Sequence, residues 1–140
     1  MSALRWRWAT NLLVLSPLVL ACAGAAERAV PAPPTVQTAV AQPVPAEFAD
    51  GERLYNQQCV GCHGPRGLGT SKGPPLISPI YFPNHHSDAA FQVAVQRGVT
   101  PHHFNFGPMP PIPGVSPDEV TAITRYVRWL QRQSGLQPGG

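Results

Sequence analysis

Cys59-Val60-Gly61-Cys62-His63 is the segment of this chain with the strongest chemical content. Two thiols separated by two residues fit one helical turn, and an imidazole follows at once. C-x-x-C-H is the spacing at which haem is attached covalently. The thiols add to the two vinyl groups of the macrocycle as thioethers, and one helical turn bridges those edges. His63 then presents its imidazole to the iron from one face. The ligating nitrogen is neutral Nε2, so Nδ1 must carry the ring proton. Other chemistry fits less well. Structural zinc needs four ligands, commonly two such pairs, and the one further cysteine is Cys22. A thioredoxin-like redox pair belongs in a βαβ setting, and no such pattern is visible. A structural disulfide is a third reading, allowed in an exported protein.

A second axial ligand is expected far along the chain. Met109 is the candidate, in Phe106-Gly107-Pro108-Met109-Pro110-Pro111. Prolines on both sides stiffen a loop that would hold a flexible thioether in place. A neutral, soft sulfur favours Fe(II) and raises the potential. The bland reading of Met109 is a core methionine. Met1 is the only other methionine, so a His/Met pair has no rival to it. Histidine is the competitor: His85, His86, His102 or His103 could instead complete a bis-His site. Their plainer reading is a polar loop at the haem edge.

Three helices are expected to position these groups. The first spans 48–58, with Phe48, Leu54 and Tyr55 as its larger apolar residues. The second begins after Ser87 as N-cap and ends at Arg97 before Gly98, with Phe91 and Val95 on one face. The third is the clearest. Ser116 caps it, Pro117 fills the first turn, Glu119 completes a capping box, and Val115 with Val120 forms a hydrophobic staple. Val120, Ile123, Val127 and Leu130 make an apolar stripe. Arg125, Arg128 and Arg132 occupy later turns, where cations suit the helix dipole. No convincing strand or repeat appears. The connections 64–79 and 101–114 are rich in Gly and Pro. So thin a core needs something at its centre. Burying about 400 Å² of apolar haem surface would contribute on the order of 10 kcal/mol.

The chain has 140 residues, with 18 Pro and 13 Gly. Its net charge of +3 includes Arg5 and Arg7. Beyond Cys22, eight basic residues face seven acidic ones, a net of +1 without a basic stripe. That excludes a nucleic-acid binder of the usual kind. Arg5 and Arg7 followed by the apolar run 12–20 read as an export signal, since the run is too short for a spanning helix. A retained membrane anchor is the competing reading. Val19-Leu20-Ala21-Cys22 resembles a bacterial lipobox, which would make Cys22 a lipidated first residue. Cleavage near Ala25 or Ala26 is the alternative. The expected organisation is a signal peptide over 1–22, a Pro/Ala-rich tether over 23–46, a haem domain over 47–135 and a tail over 136–140. The tether cannot bury enough apolar surface to fold.

Over residues 46–135 the sequence resembles a class I cytochrome c, most of all its small bacterial members. Gly51, Tyr55 and Cys59 are similar to the family's first helix, and Ile123 and Tyr126 to the pair on its last. The resemblance implies an all-α cytochrome c fold, with three main helices and Gly/Pro-rich loops around one covalent haem c. It implies that the two end helices cross, with the Gly permitting close approach. Gly73-Pro74-Pro75-Leu76 resembles the segment whose Pro carbonyl accepts from the ligating histidine. Pro74 would then fix the tautomer of His63, and Leu76 would pack on the ring. The family's usual ring of lysines is missing, as Lys72 is the only lysine. The implied function is single-electron transfer between redox protein partners in an exported respiratory or dehydrogenase chain. The site would be the bacterial periplasm or cell envelope, with membrane association through a lipidated Cys22. The haem edge would be open to partners, and no substrate would bind the iron. The alternatives are an open-site haem protein, peroxidase-like or gas-sensing, and the haem subunit of a larger oxidoreductase.

Overall fold

The computed structural model of the protein describes residues 41–136. The expected signal peptide, Cys22 and most of the expected tether lie outside these residues. The described part is helical, without strands. Its helices are α1 (Ala49–Gln58), α2 (Val60–His63), α3 (Asp88–Arg97) and α4 (Pro117–Gln133), with 3-10 turns at Ala46–Phe48, Pro65–Gly67 and Pro79–Tyr81. The three expected helices are α1, α3 and α4. The short α2 carries the Cys-x-x-Cys-His motif.

Helix α4 organises the core. Its capping box is complete: Glu119 N–H donates to Ser116 Oγ at 3.3 Å, and Ser116 N–H to Glu119 Oε2 at 2.8 Å. Val120, Ile123, Val127 and Leu130 are all buried, as the stripe requires. Burial extends further round the helix, to Thr124, Tyr126, Arg128, Trp129 and Gln131. Helix α1 crosses it. A β-carbon on Gly51 would lie 2.3 Å from Ala122 O and 2.8 Å from Tyr126 Cβ, so only glycine lets the backbones meet there. Tyr55 and Tyr126, both fully buried, pack with ring centroids 5.6 Å apart. Phe48 stacks on Trp129 at 5.8 Å.

Helix α3 packs on α4, with Phe91 against the core, and is tied to its first turns by Gln92. The Gln92 side-chain amide donates to Pro117 O at 2.9 Å and Thr121 Oγ1 at 3.1 Å. Ser87 occupies the N-cap position of α3, but its side chain makes no capping bond. Close to the start of the domain, Val44 packs against the core and Arg66 Nη1 donates to Gln42 O at 2.8 Å. The chain is therefore held to the domain from about residue 42.

Arg128 departs from its expected role. It is a buried hub and not a surface cation answering the helix dipole. Its Nε meets Asp88 Oδ1 at 2.8 Å, Nη2 donates to His86 O at 2.6 Å, and Nη1 donates to Tyr81 O and to Gln131 Oε1. The guanidinium also lies over the Phe91 ring, 5.0 Å from its centroid. It thus fastens the 79–87 connection and α3 to α4. Arg128→Met should destabilise the protein by about 2–4 kcal/mol, because buried carbonyls lose their donor. Asp88→Asn should cost under about 1 kcal/mol, since that carboxylate is largely in solvent. Urea unfolding of the two variants measures the contrast, and equal losses would refute the hub.

Candidate haem-binding site

The thiol pair sits where α1 gives way to α2. Cys59 N–H still bonds to Tyr55 O at 2.8 Å, and Cys62 and His63 both donate back to Cys59 O, at 3.2 and 2.9 Å. One turn therefore sets Cys59, Cys62 and His63 together. No disulfide joins Cys59 to Cys62. Burial, reinforced by the neighbouring Cys62, pushes Cys59 up to about 11. Gly64, at φ 72°, ends the turn. Its carbonyl accepts from the buried Tyr55 hydroxyl at 2.7 Å. Burial raises the Tyr55 pKa, so this hydroxyl stays a donor. That link, from the first helix to the end of the motif, was not visible in the sequence pattern.

The following loop folds back on the motif through contacts that only glycine allows. A β-carbon on Gly69 would lie 2.8 Å from Pro75 N, and one on Gly73 would lie 3.0 Å from Cys62 O. Thr70 Oγ1 donates to Cys62 O at 2.6 Å. This wrapping delivers Pro74 O to His63 Nδ1 at 2.9 Å. A carbonyl only accepts, so Nδ1 carries the proton and Nε2 keeps its lone pair. Burial lowers the His63 pKa, partly offset by the bond to Pro74. The imidazole is thereby held neutral with Nε2 available.

Met109 comes from the far loop. Its backbone pairs with Val99 in an isolated bridge, N–H to O at 3.0 and 2.9 Å. Gly98, at φ 76°, backs this bridge: a β-carbon there would lie 2.4 Å from Met109 O. Cys59, Cys62, His63, Pro74, Leu76 and Met109 all line one cavity of about 820 Å³. Phe91, Val95, Val120 and Ile123 add apolar wall to it. Its size lies in the usual range for a bound cofactor, about 300–1,000 Å³.

The donor set fits a haem. Two thiols for thioether bonds, an oriented neutral imidazole and a thioether converge on one largely apolar chamber. Zinc fits worse, for the described group able to share a metal ion is His85, His86 and His103, and the cysteines are not in it. Those histidines stand at the edge: His86, His102 and His103 line the cavity and His85 does not. His85 Nε2 and His103 Nε2 lie 3.1 Å apart. Partial desolvation and its three histidine neighbours hold His103 below the ordinary imidazole range.

Fold and chamber together define a helical protein built to hold a covalently linked porphyrin. The family model described as Cytochrome c matches residues 48–131, and the chain belongs to the cytochrome c family. No curated protein and no solved structure matches it. Membership carries the cofactor, a covalently attached haem c with its iron, and the general role of electron carrier working with redox protein partners.

Proposed function

We propose that this protein is a monohaem cytochrome whose iron is held between His63 and Met109 and which passes single electrons between proteins. The carrying observation is that Cys59, Cys62, His63 with its tautomer fixed, and Met109 all line one cavity. When bound, the haem supplies the one-electron Fe(III)/Fe(II) couple. The chain's own groups do the rest. Cys59 and Cys62 anchor the macrocycle. Pro74 holds His63 in register. Met109, on its Pro-flanked loop, would supply the second iron ligand, one that takes up no proton. Two ligands that stay in place would keep reorganisation small, and with both supplied by the chain no position would be left for a substrate. Leu76, Val95 and Ile123 keep water from the chamber.

The proposal includes export to the bacterial cell envelope in a respiratory or dehydrogenase chain, with Cys22 as the point of lipid attachment. It rests on Arg5, Arg7, the apolar run 12–20 and the lipobox-like 19–22 segment. A mass spectrum of the mature protein tests attachment and export together. The expected mass is the chain from Cys22 plus its lipid and one haem, with neither Cys59 nor Cys62 alkylatable. An intact N-terminus would overturn the export part. Two alkylatable thiols would overturn the haem part.

A further inference from the structure

The histidines other than His63 form a second centre of chemistry. They occur as two adjacent pairs, His85-His86 and His102-His103, in different loops. Folding brings the loops together. Ring centroids of His85 and His103 are 5.0 Å apart, those of His86 and His103 5.3 Å, and those of His102 and His103 4.3 Å. We propose that His85, His86 and His103 form a binding site for one divalent transition-metal ion of borderline softness, Zn²⁺ or Cu²⁺, beside the haem chamber and distinct from the haem iron.

The geometry is close to what such an ion needs. One nitrogen from each of the three lies within 4.8 Å of the others. Two nitrogens bound at about 2.0–2.1 Å to one tetrahedral ion stand about 3.4 Å apart. His85 Nε2 and His103 Nε2 are at 3.1 Å, so that pair needs only a small side-chain adjustment, and His86 must close by little more than 1 Å.

Ring orientation is already set in part. His86 Nδ1 donates to Ile80 O at 2.6 Å, and the neighbouring His102 Nδ1 donates to Thr100 O at 2.9 Å. Each bond fixes the proton on Nδ1 and leaves Nε2 as the lone-pair donor, the arrangement found behind metal-ligating histidines. An all-imidazole set suits Zn²⁺, Cu²⁺ and Ni²⁺ and disfavours Mg²⁺ or Ca²⁺.

The surrounding charge points the same way. Between Glu52 and Asp118 the one acidic residue is Asp88, and its carboxylate meets Arg128. The cluster therefore has no carboxylate of its own to favour protonated rings. A cation that accepts lone pairs complements it. Such an ion would clasp the loop entering α3 to the loop that runs on from Val99, whose backbone pairs with Met109. Metal occupancy would thus stiffen the segment that carries the methionine.

The test is calorimetric titration of chelator-stripped haem-loaded protein with Zn²⁺ and, separately, Cu²⁺. One equivalent should bind with micromolar or tighter affinity. His85→Ala and His103→Ala should each weaken it by about tenfold or more, and His85→Ala, whose side chain does not line the cavity, should leave the haem absorption spectrum unchanged. Absence of saturable binding to the wild type would overturn the proposal. So would undiminished binding in both variants, or a haem spectrum altered by His85→Ala, which would place that histidine on the iron. A colourless preparation would instead count against the haem reading, and the metal titration reads independently of it.

Discussion

Met109→Ala is expected to lower the reduction potential by on the order of 0.1–0.3 V, part of the roughly 0.8 V range that axial ligands command. The thioether is a neutral, soft ligand that stabilises Fe(II) relative to Fe(III), and alanine offers nothing in its place. Each 0.1 V is about 2.3 kcal/mol for one electron, enough to reverse the direction of transfer with a closely matched partner. The substitution should leave the loop in place. Both bonds between residue 109 and Val99 are made by the backbone, and Gly98 still sits beneath them. The change would therefore report the ligand and not a collapsed loop. Spectroelectrochemical titration of wild type and variant measures it, and equal potentials would remove Met109 from the iron.

Gly51→Ala should be a strongly damaging single-methyl change at the crossing of α1 and α4. The added carbon would meet Ala122 O at 2.3 Å and Tyr126 Cβ at 2.8 Å. Ala122 O is backbone within α4 and cannot turn aside as a flexible side chain could. The helices must separate, and the Tyr55–Tyr126 and Phe48–Trp129 ring contacts loosen with them. Overpacking typically costs about 1–3 kcal/mol and occasionally more; a backbone clash at a crossing belongs at the upper end. Alanine's helix propensity returns only about 1 kcal/mol. A net loss of about 2 kcal/mol would lower the melting temperature by roughly 8–16 °C in a domain this small. Gly61→Ala is the control, because a β-carbon there has nothing within 4 Å. Thermal melts of the two holoproteins should differ by nearly the full amount, and similar melts would deny that α1 and α4 need their close approach.

What could be read in the sequence was local or carried by resemblance. The capping box of α4 lies within four residues, and the apolar stripe follows the helical period, so both were legible. The thiol-imidazole motif lies within five residues and announces its chemistry by spacing. Pro74 and the Gly51 crossing came through the family likeness, and the structure supplies their physical reasons: a carbonyl 2.9 Å from His63 Nδ1, and no room for a methyl group. What escaped is non-local. Arg128 has the look of a surface cation near a helix C-terminus, because its partners Tyr81, His86 and Asp88 are 40 or more residues away. The Tyr55–Gly64 bond depends on how α1 meets α2. The two histidine pairs are conspicuous in the sequence, but no periodicity says that their loops meet. Val44 falls in a Pro-rich stretch that reads as a tether, yet the turn at Ala46–Phe48 brings it onto the core.

Carbon monoxide added to the reduced protein tests the closed site most directly. If His63 and Met109 occupy both axial positions, the wild-type spectrum should stay as it was, while Met109→Ala takes up the gas readily. Prompt binding by the wild type, at a rate matching the variant, would contradict the account and leave the iron open on the side assigned to sulfur.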